Sequence, residues 1–388
     1  MQSGKLSACV LGLLALAAAG TSLGGDDAHC DADNAGLELP DQFCAQAVAR
    51  DLGPAGQLAL SPAGDIYVAI RDQDDGPGGV VGMRDTDGDG RMDEIIRFGE
   101  RGGSGIALAD GQLYVAEDQR ILRMALHDTH LGPNGDAEVI AAGLEKAQDH
   151  GPAFASGPDH TLFVQADDSI WRFDSTTPGE QLEESANHAL GIRPGAKLAW
   201  NPLDDQLYAL TRGQHASASS ELLRVTEGVD YGWPYCYHDS DAGKRLLAAD
   251  AGGDGERTGP CNERYPSPEL ALPGHLEYRD LLFHRTEGFL HEGRSAAFIS
   301  VEDADQSRII VLPLDANGRP QGDQAWETFA RMDGNTSSRF GGLAEGPDGK
   351  LYVSDARQGT IWRIQRRDDQ AGPKGGWRLL PLPLPGLS

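Results

Sequence analysis

Asp149-His150 sets an imidazole beside a carboxylate, a pairing that suits a general base because the carboxylate raises the ring's affinity for a proton. The plain alternative is an exposed loop histidine, one of eleven in the chain. Two arginines stand in matching places further on. Arg193 follows Gly191-Ile192, and Arg339 lies just ahead of Phe340-Gly341-Gly342. A guanidinium always carries charge and can fork onto a carboxylate. Asp85, Asp87 and Asp89 alternate, with Gly90 in sixth place, as in the opening of a calcium loop whose oxygens converge on one hard cation. The twelfth place holds Ile96 rather than a bidentate Glu, and an acidic β-turn is the competing reading.

These residues are spaced by a repeat. Ile66-Tyr67-Val68, Leu113-Tyr114-Val115, Leu162-Phe163-Val164, Leu207-Tyr208-Ala209, Ala297-Phe298-Ile299 and Leu351-Tyr352-Val353 are copies of one aromatic and β-branched phrase suited to a pleated surface. Turn residues precede most copies, as in Pro347-Asp348-Gly349, and a third strand follows several, as in Ile361-Trp362-Arg363-Ile364. Copies recur every 45 to 54 residues except for one interval of 90. Small sheets repeating at about 40–50 residues indicate a β-propeller. The expectation is an all-β, six-bladed β-propeller with an insertion before the fifth blade. His150, Arg193 and Arg339 then all precede inner strands, near one mouth of the central channel.

Lys and Arg number 33 against 60 Asp and Glu, a formal charge of −27, which argues against nucleic acid or an anionic membrane as partner. Residues 1–19 read as a secretory signal peptide: Lys5, an apolar run from Val10, then Ala17-Ala18-Ala19. No other segment is long and apolar enough to insert in a membrane. An exported, periplasmic or extracellular chain retains Cys30, Cys44, Cys236 and Cys261, for which three pairings exist. The local pairing, Cys30–Cys44 and Cys236–Cys261, is the most economical. Residues 30–367 read as one propeller domain, 235–275 as a disulfide-bearing insertion, and 368–388 as a Pro/Leu-rich tail. Which terminus closes the ring is open, as is the oligomeric state.

Over nearly all of the mature chain the sequence resembles the pyrroloquinoline-quinone (PQQ)-dependent sugar dehydrogenases, the soluble glucose and sorbosone dehydrogenase group. The resemblance rests on Leu37-Glu38-Leu39-Pro40-Asp41-Gln42-Phe43-Cys44, on Asp149-His150 followed by Gly157-Pro158-Asp159, and on Gly191-Ile192-Arg193 followed by Leu198-Ala199-Trp200-Asn201-Pro202. Its most specific piece is Tyr231-Gly232-Trp233-Pro234-Tyr235-Cys236-Tyr237 with Gly252-Gly253-Asp254-Gly255. What the resemblance implies is PQQ over the channel mouth, with Ca²⁺ as Lewis acid on a quinone carbonyl. It makes His150 the base for a sugar hydroxyl, with Asp149 holding the ring, and Arg193 and Arg339 the quinone-binding arginines. It assigns the main-chain carbonyls of Gly213 and Gln214 to that calcium, and Glu221 and Tyr231 to a second, structural one. The chain departs from the family in carrying Arg193-Pro194 where relatives carry Arg-Asn, and Thr211-Arg212-Gly213-Gln214-His215 where they carry an acidic or Gly-Arg-Asp motif.

Three functions follow as expectations. The first is oxidation of a sugar by PQQ, passing electrons to a separate acceptor, since no haem motif is present. The second is a propeller that has lost its cofactor and serves as a binding protein. The third is a calcium-dependent sugar lactonase, which needs carboxylates converging on an axial metal. His275, His284 and His291 fit no closed zinc spacing and read as surface or channel-rim residues.

Overall fold

The computed structural model describes residues 30–367 apart from 74–75, 118, 128, 145–151, 178–185, 214–217, 249–259, 287–288, 291–294, 304–305, 322–325 and 333–336. Residues 1–29, which include the stretch read as a signal peptide, and residues 368–388 lie outside the described residues.

Six antiparallel sheets, each with a core of four strands, follow one another along the chain. Blade one consists of Ala55–Leu60, Ile66–Ile70, Gly79–Arg84 and Glu94–Phe98. Blade two has Gly103–Ala109, Gln112–Glu117, Arg120–Ala125 and Glu138–Ala142. Blade three has Ala153–Ser156, Thr161–Ala166, Ser169–Asp174 and Ala186–Leu190. Blade four has Lys197–Asn201, Gln206–Thr211, Ser220–Val225 and Leu270–Leu272. Blade five has Glu277–Phe283, Ala296–Asp303, Gln306–Pro313 and Glu327–Met332. Blade six takes Phe340–Glu345, Leu351–Asp355 and Ile361–Arg366 from the end of the chain, and its outer strand, Phe43–Ala49, from the beginning. Every aromatic phrase read from the sequence is the second strand of a blade.

Local chemistry explains the hairpins. Ala109 pairs with Gln112, so Asp110 and Gly111 alone make the reversal, and both have positive φ (49° and 73°). A two-residue loop of that handedness matches the twist of the flanking strands, and Asp-Gly is among the few pairs that adopt it cheaply.

The hydrophobic core is divided among the six interfaces between blades, one cluster to each. Tyr67, Val80 and Met124 belong to the cluster between blades one and two, and Phe154, Val164 and Phe173 to that between two and three. Phe163, Leu198 and Leu223 join three to four, and Tyr208, Phe283 and Ile299 join four to five. Phe43, Phe298, Phe329, Phe340 and Trp362 fill the fifth interface, and Val48, Ile66, Tyr352 and Ile361 the last. Burying a side chain of this size is worth about 1.5–3 kcal/mol, so each interface contributes and none can be left open. Inner strands of successive blades touch all the way around, the sixth against the first.

Cys30–Cys44 fastens the leading segment to the closing strand. Cys236–Cys261 lies in the insertion, where it ties the hairpin of Cys236–Asp239 and Lys244–Leu247 to the one-turn helix Cys261–Arg264. The insertion precedes the fifth blade as expected, and it departs from inside blade four, between that blade's third and fourth strands.

Blade six meets blade one closely at Gly342. A Cβ there would lie 2.6 Å from Gln57 Cα and 2.9 Å from the Gly56 carbonyl, backbone that cannot step aside. Overpacking of this kind costs about 1–3 kcal/mol. Gly342→Ala is therefore expected to destabilise the protein by about that amount in equilibrium denaturation; an unchanged midpoint would show that the seam tolerates a methyl group.

Candidate active site at the channel mouth

In each blade the inner strand starts at the face where the second strand ends, because the strands alternate in direction. Segments ahead of inner strands and loops between second and third strands therefore share one mouth of the channel. Arg193, Arg339 and Gly213 all lie there, as the repeat requires. Asp149, His150 and Gln214 are outside the described residues.

Arg193, half-buried, donates from Nη1 to the Gly213 carbonyl at 2.6 Å and to the Arg212 carbonyl at 3.2 Å. Burial and the neighbouring Arg212 charge lower its affinity for a proton. Gly213 and Arg193 are thus brought together, but the contact differs from the calcium ligation that the resemblance implies. A guanidinium already occupies the carbonyl, and Ca²⁺ at its usual 2.3–2.6 Å from the same oxygen would set two positive charges side by side.

From Arg193 a line of charge runs around the mouth. Arg212 lies 3.8 Å from Glu277. Arg279 bridges Glu277 (2.7 Å) and Glu302 (2.8 Å). Glu302 also accepts from Arg339 Nε at 3.0 Å and lies 3.8 Å from Arg357. Burial would raise the Glu302 carboxyl, but the Arg279 and Arg339 guanidiniums outweigh burial and hold it low. Next to Arg357, the Ala356 carbonyl accepts from Arg71 of blade one at 2.6 Å. Arg339 is joined to Arg193 through this relay rather than directly.

Below the rim a polar layer crosses the axis. Asp280 of blade five accepts from Gln57 Nε2 of blade one at 3.0 Å and from the Leu343 amide of blade six at 2.8 Å, and is buried. Burial raises its carboxyl above the ordinary range. Lys197 of blade four is also buried and interacts electrostatically with Asp280, Arg279 and Arg71, so it points towards the axis. Beyond this layer the channel widens into a cavity of about 560 Å³ lined by Leu58, Phe154, Leu198, Trp200 and Phe283, open on the opposite face. Gln57 and Asp280 themselves line that larger space, whereas Arg193 and Arg339 do not.

The second calcium set is occupied otherwise. Glu221 forms a buried ion pair with Arg245 of the insertion hairpin and accepts from the His238 amide at 3.2 Å. Arg245 Nε also donates to the Pro266 carbonyl at 2.5 Å. The Tyr231 hydroxyl donates to the Arg224 carbonyl at 2.6 Å and accepts from the Thr226 amide at 3.0 Å. Between these groups and Arg193 remains a cavity of about 20 Å³, room for one water.

Asp85, Asp87 and Asp89 do converge, with one oxygen from each within 4.8 Å of the others. They lie on the loop between blade one's third and fourth strands, which emerges on the face opposite the charged mouth. Their oxygens accept the loop's own amides, Gly88 at 2.7 Å, Gly90 at 2.8 Å and Arg91 at 2.7 Å. His284 departs from its surface reading: it is buried, stacked on Phe289 with ring centroids 4.3 Å apart, and lies 3.9 Å from Glu345. His275 is exposed, and His291 is outside the described residues.

Lys197, Asp280, Arg279, Glu302, Arg71 and Arg245 were missed by reading motifs. A signal existed for two of them. The residue before the inner strand's apolar pair is Gln57, Gly105, Ala153, Lys197, Asp280 and Gly342 in the successive blades. Only blades four and five put a charge there.

No known family profile matches the chain, and no curated relative matches it. Solved structures do. The calcium structure of Carbohydrate-Active Enzymes Family AA12 from Trichoderma reesei superposes with a TM-score of 0.69 at 15% identity, covering 86% of this chain and 97% of that one. The holo form of the pyranose dehydrogenase PQQ domain from Coprinopsis cinerea gives 0.68 at 14% identity, covering 85% and 97%. The PQQ-bound aldose sugar dehydrogenase from Streptomyces coelicolor gives 0.56 at 19% identity, covering 85% and 100%. These likenesses establish the six-bladed propeller fold.

Removing one partner of a buried ion pair leaves the other charge uncompensated, at a cost of about 3–5 kcal/mol. Arg245→Met is accordingly expected to lower stability by that order and to expose the insertion hairpin to proteolysis. A variant as stable and as protease-resistant as wild type would mean that the pair contributes nothing.

Proposed function

We propose that the protein is an exported oxidoreductase that oxidises a sugar by means of PQQ held at the charged mouth. The observation that carries this reading is the gathering of Arg71, Arg193, Lys197, Arg212, Arg279, Arg339 and Arg357 at one end of the axis. Asp72, Glu277, Asp280, Glu302 and Asp355 lie among them. Glu277 and Glu302 link several of these guanidiniums into one network, in a chain where carboxylates prevail by 60 to 33. Arg193 rests on carbonyls alone among the described residues, a donor set suited to an acidic, planar quinone. The solved structures of similar fold include PQQ-bound sugar dehydrogenases, which supports the same reading.

Oxidation of a sugar alcohol group removes a hydride from carbon and a proton from its hydroxyl. When bound, the quinone supplies the acceptor for that hydride and its electron pair. His150 takes the hydroxyl proton and Asp149 holds the imidazole, on sequence position. Arg193 and Arg339 orient acidic oxygens of the quinone, and the electrons leave to a separate acceptor. Calcium is given no step, because Arg193 caps Gly213 and Arg245 pairs with Glu221. The disulfides fit an oxidising compartment, in keeping with export.

The same capped carbonyl favours a second reading, a binding protein that keeps an anion-binding mouth without redox chemistry. The lactonase reading loses support: the one convergent acidic trio among the described residues, Asp85, Asp87 and Asp89, is off the axis.

Titration of the purified chain with PQQ is expected to give saturable binding and sugar-dependent reduction of a dye. Arg193→Ala should weaken binding about ten- to a hundredfold, the worth of a hydrogen bond to a charged group. His150→Ala should leave quinone affinity nearly intact and cut turnover by about 10²–10⁴. Binding of PQQ without any turnover on aldoses or sorbosone would favour the binding protein; no binding at all would end the quinone reading.

A further inference from the structure

One pair of histidines stands apart from the charged mouth and from every group the quinone reading uses. His127 and His130 lie on the loop between blade two's third and fourth strands, which emerges on the face opposite the gathered cations. Their Nδ1 atoms are 3.2 Å apart, and the rings meet edge to face with centroids at 4.6 Å. Thr129 Oγ1 completes a triangle, 3.2 Å from His127 Nδ1 and 3.0 Å from His130 Nδ1.

That triangle lacks the protons for a full set of hydrogen bonds. The Thr129 amide donates to His127 Nδ1 at 3.2 Å, so this nitrogen presents a lone pair and carries no proton. What remains is one proton on Thr129 Oγ1 and at most one on His130 Nδ1. Two protons face three short edges. A cation that draws a lone pair from each corner removes the shortfall, and the edges have the right length for one. Ligand atoms about 2.0–2.1 Å from a single ion stand about 2.9 Å apart at a right angle and about 3.4 Å apart at the tetrahedral angle.

The loop holds these atoms in place without an ion. Leu126 bridges to Pro133 across its base, the His127 amide donates to the Gly132 carbonyl at 3.3 Å, and Leu131 is buried. Blade one supports it from the side, where Arg84 Nη1 donates to the Thr129 carbonyl at 3.2 Å. Arg84 is itself forked onto Asp65 at 2.7 and 2.8 Å, so it sets no unpaired charge against an incoming cation. Both imidazoles are exposed, which leaves further coordination positions to water.

We propose that His127, His130 and Thr129 form a surface site for a divalent late transition-metal ion, with the two Nδ1 atoms as principal ligands and the Thr129 hydroxyl as a weak third. Imidazole selects such ions over Ca²⁺ and Mg²⁺, and Cu²⁺ binds ahead of Ni²⁺ and Zn²⁺. The site is distinct from the acidic trio Asp85, Asp87 and Asp89 of blade one, which offers only oxygens. It takes no part in the sugar oxidation proposed above and stands if that reading fails.

The test is metal binding by the untagged, chelator-washed chain. Titration with Cu²⁺ is expected to show a saturable site for one ion per chain, tighter than for Zn²⁺ and weakening as pH falls and the imidazoles take up protons. The electron paramagnetic resonance spectrum of the Cu²⁺-loaded chain should show coupling to two imidazole nitrogens. His127→Ala and His130→Ala should each weaken binding about tenfold or more, at least what loss of a ligand's outer partner costs, and leave coupling to one nitrogen at most. Both side chains are exposed, so the variants are expected to keep the wild-type fold; His275→Ala, also at an exposed histidine, should bind as wild type does. Absence of a saturable site, coupling to fewer than two nitrogens in wild type, undiminished affinity in the His127 and His130 variants, or an equal loss in His275→Ala would each overturn the assignment.

Discussion

Closure of the ring is the constraint on which the molecule depends. A sheet edge left open exposes a row of unpaired amides and carbonyls, and a blade without a neighbour exposes an apolar face. Both problems are solved at the same place. Phe43–Ala49 pairs with Ile361–Arg366, so blade six has its fourth strand, and Phe43 enters the aromatic cluster with Phe298, Phe329 and Phe340. With the ring closed, every inner strand must point the same way along the axis. That alone delivers side chains from residues as far apart as Arg71 and Arg357 to one small opening.

The repeat was legible because second strands are buried on both faces and read as continuous apolar phrases: Ile66–Ile70 and Leu351–Asp355 are buried at every residue. Outer strands were not, because one face meets solvent and the pattern dissolves; Glu94–Phe98 is exposed or half-exposed throughout. The closing strand escaped notice for a different reason. Phe43–Ala49 is fully buried, but its partner lies more than 300 residues away, and pairing at that distance leaves no local sign. Both disulfides were readable from sequence proximity.

The mouth was only half legible. Arginines ahead of inner strands could be placed by register, because register is a property of the repeat. Their partners could not, because Arg279, Glu302 and Arg245 are ordinary charged residues until the ring brings them together. The metal ligands inferred from resemblance illustrate this. Gly213 and Glu221 stand where the register puts them, but each meets a guanidinium. A guanidinium and a divalent cation make similar demands on an oxygen ligand, so a backbone geometry can be kept while the group that satisfies it changes.

The pairing of the first strand with the last has a consequence for biogenesis. During synthesis the segment that completes the final blade emerges before any blade exists, and must wait, unpaired, for the other five to form. Intermediate lengths of nascent chain thus carry an apolar ribbon with no docking surface, open to association with other chains until the carboxyl-terminal blade arrives. Folding is consequently a property of the released polypeptide rather than of its growing end.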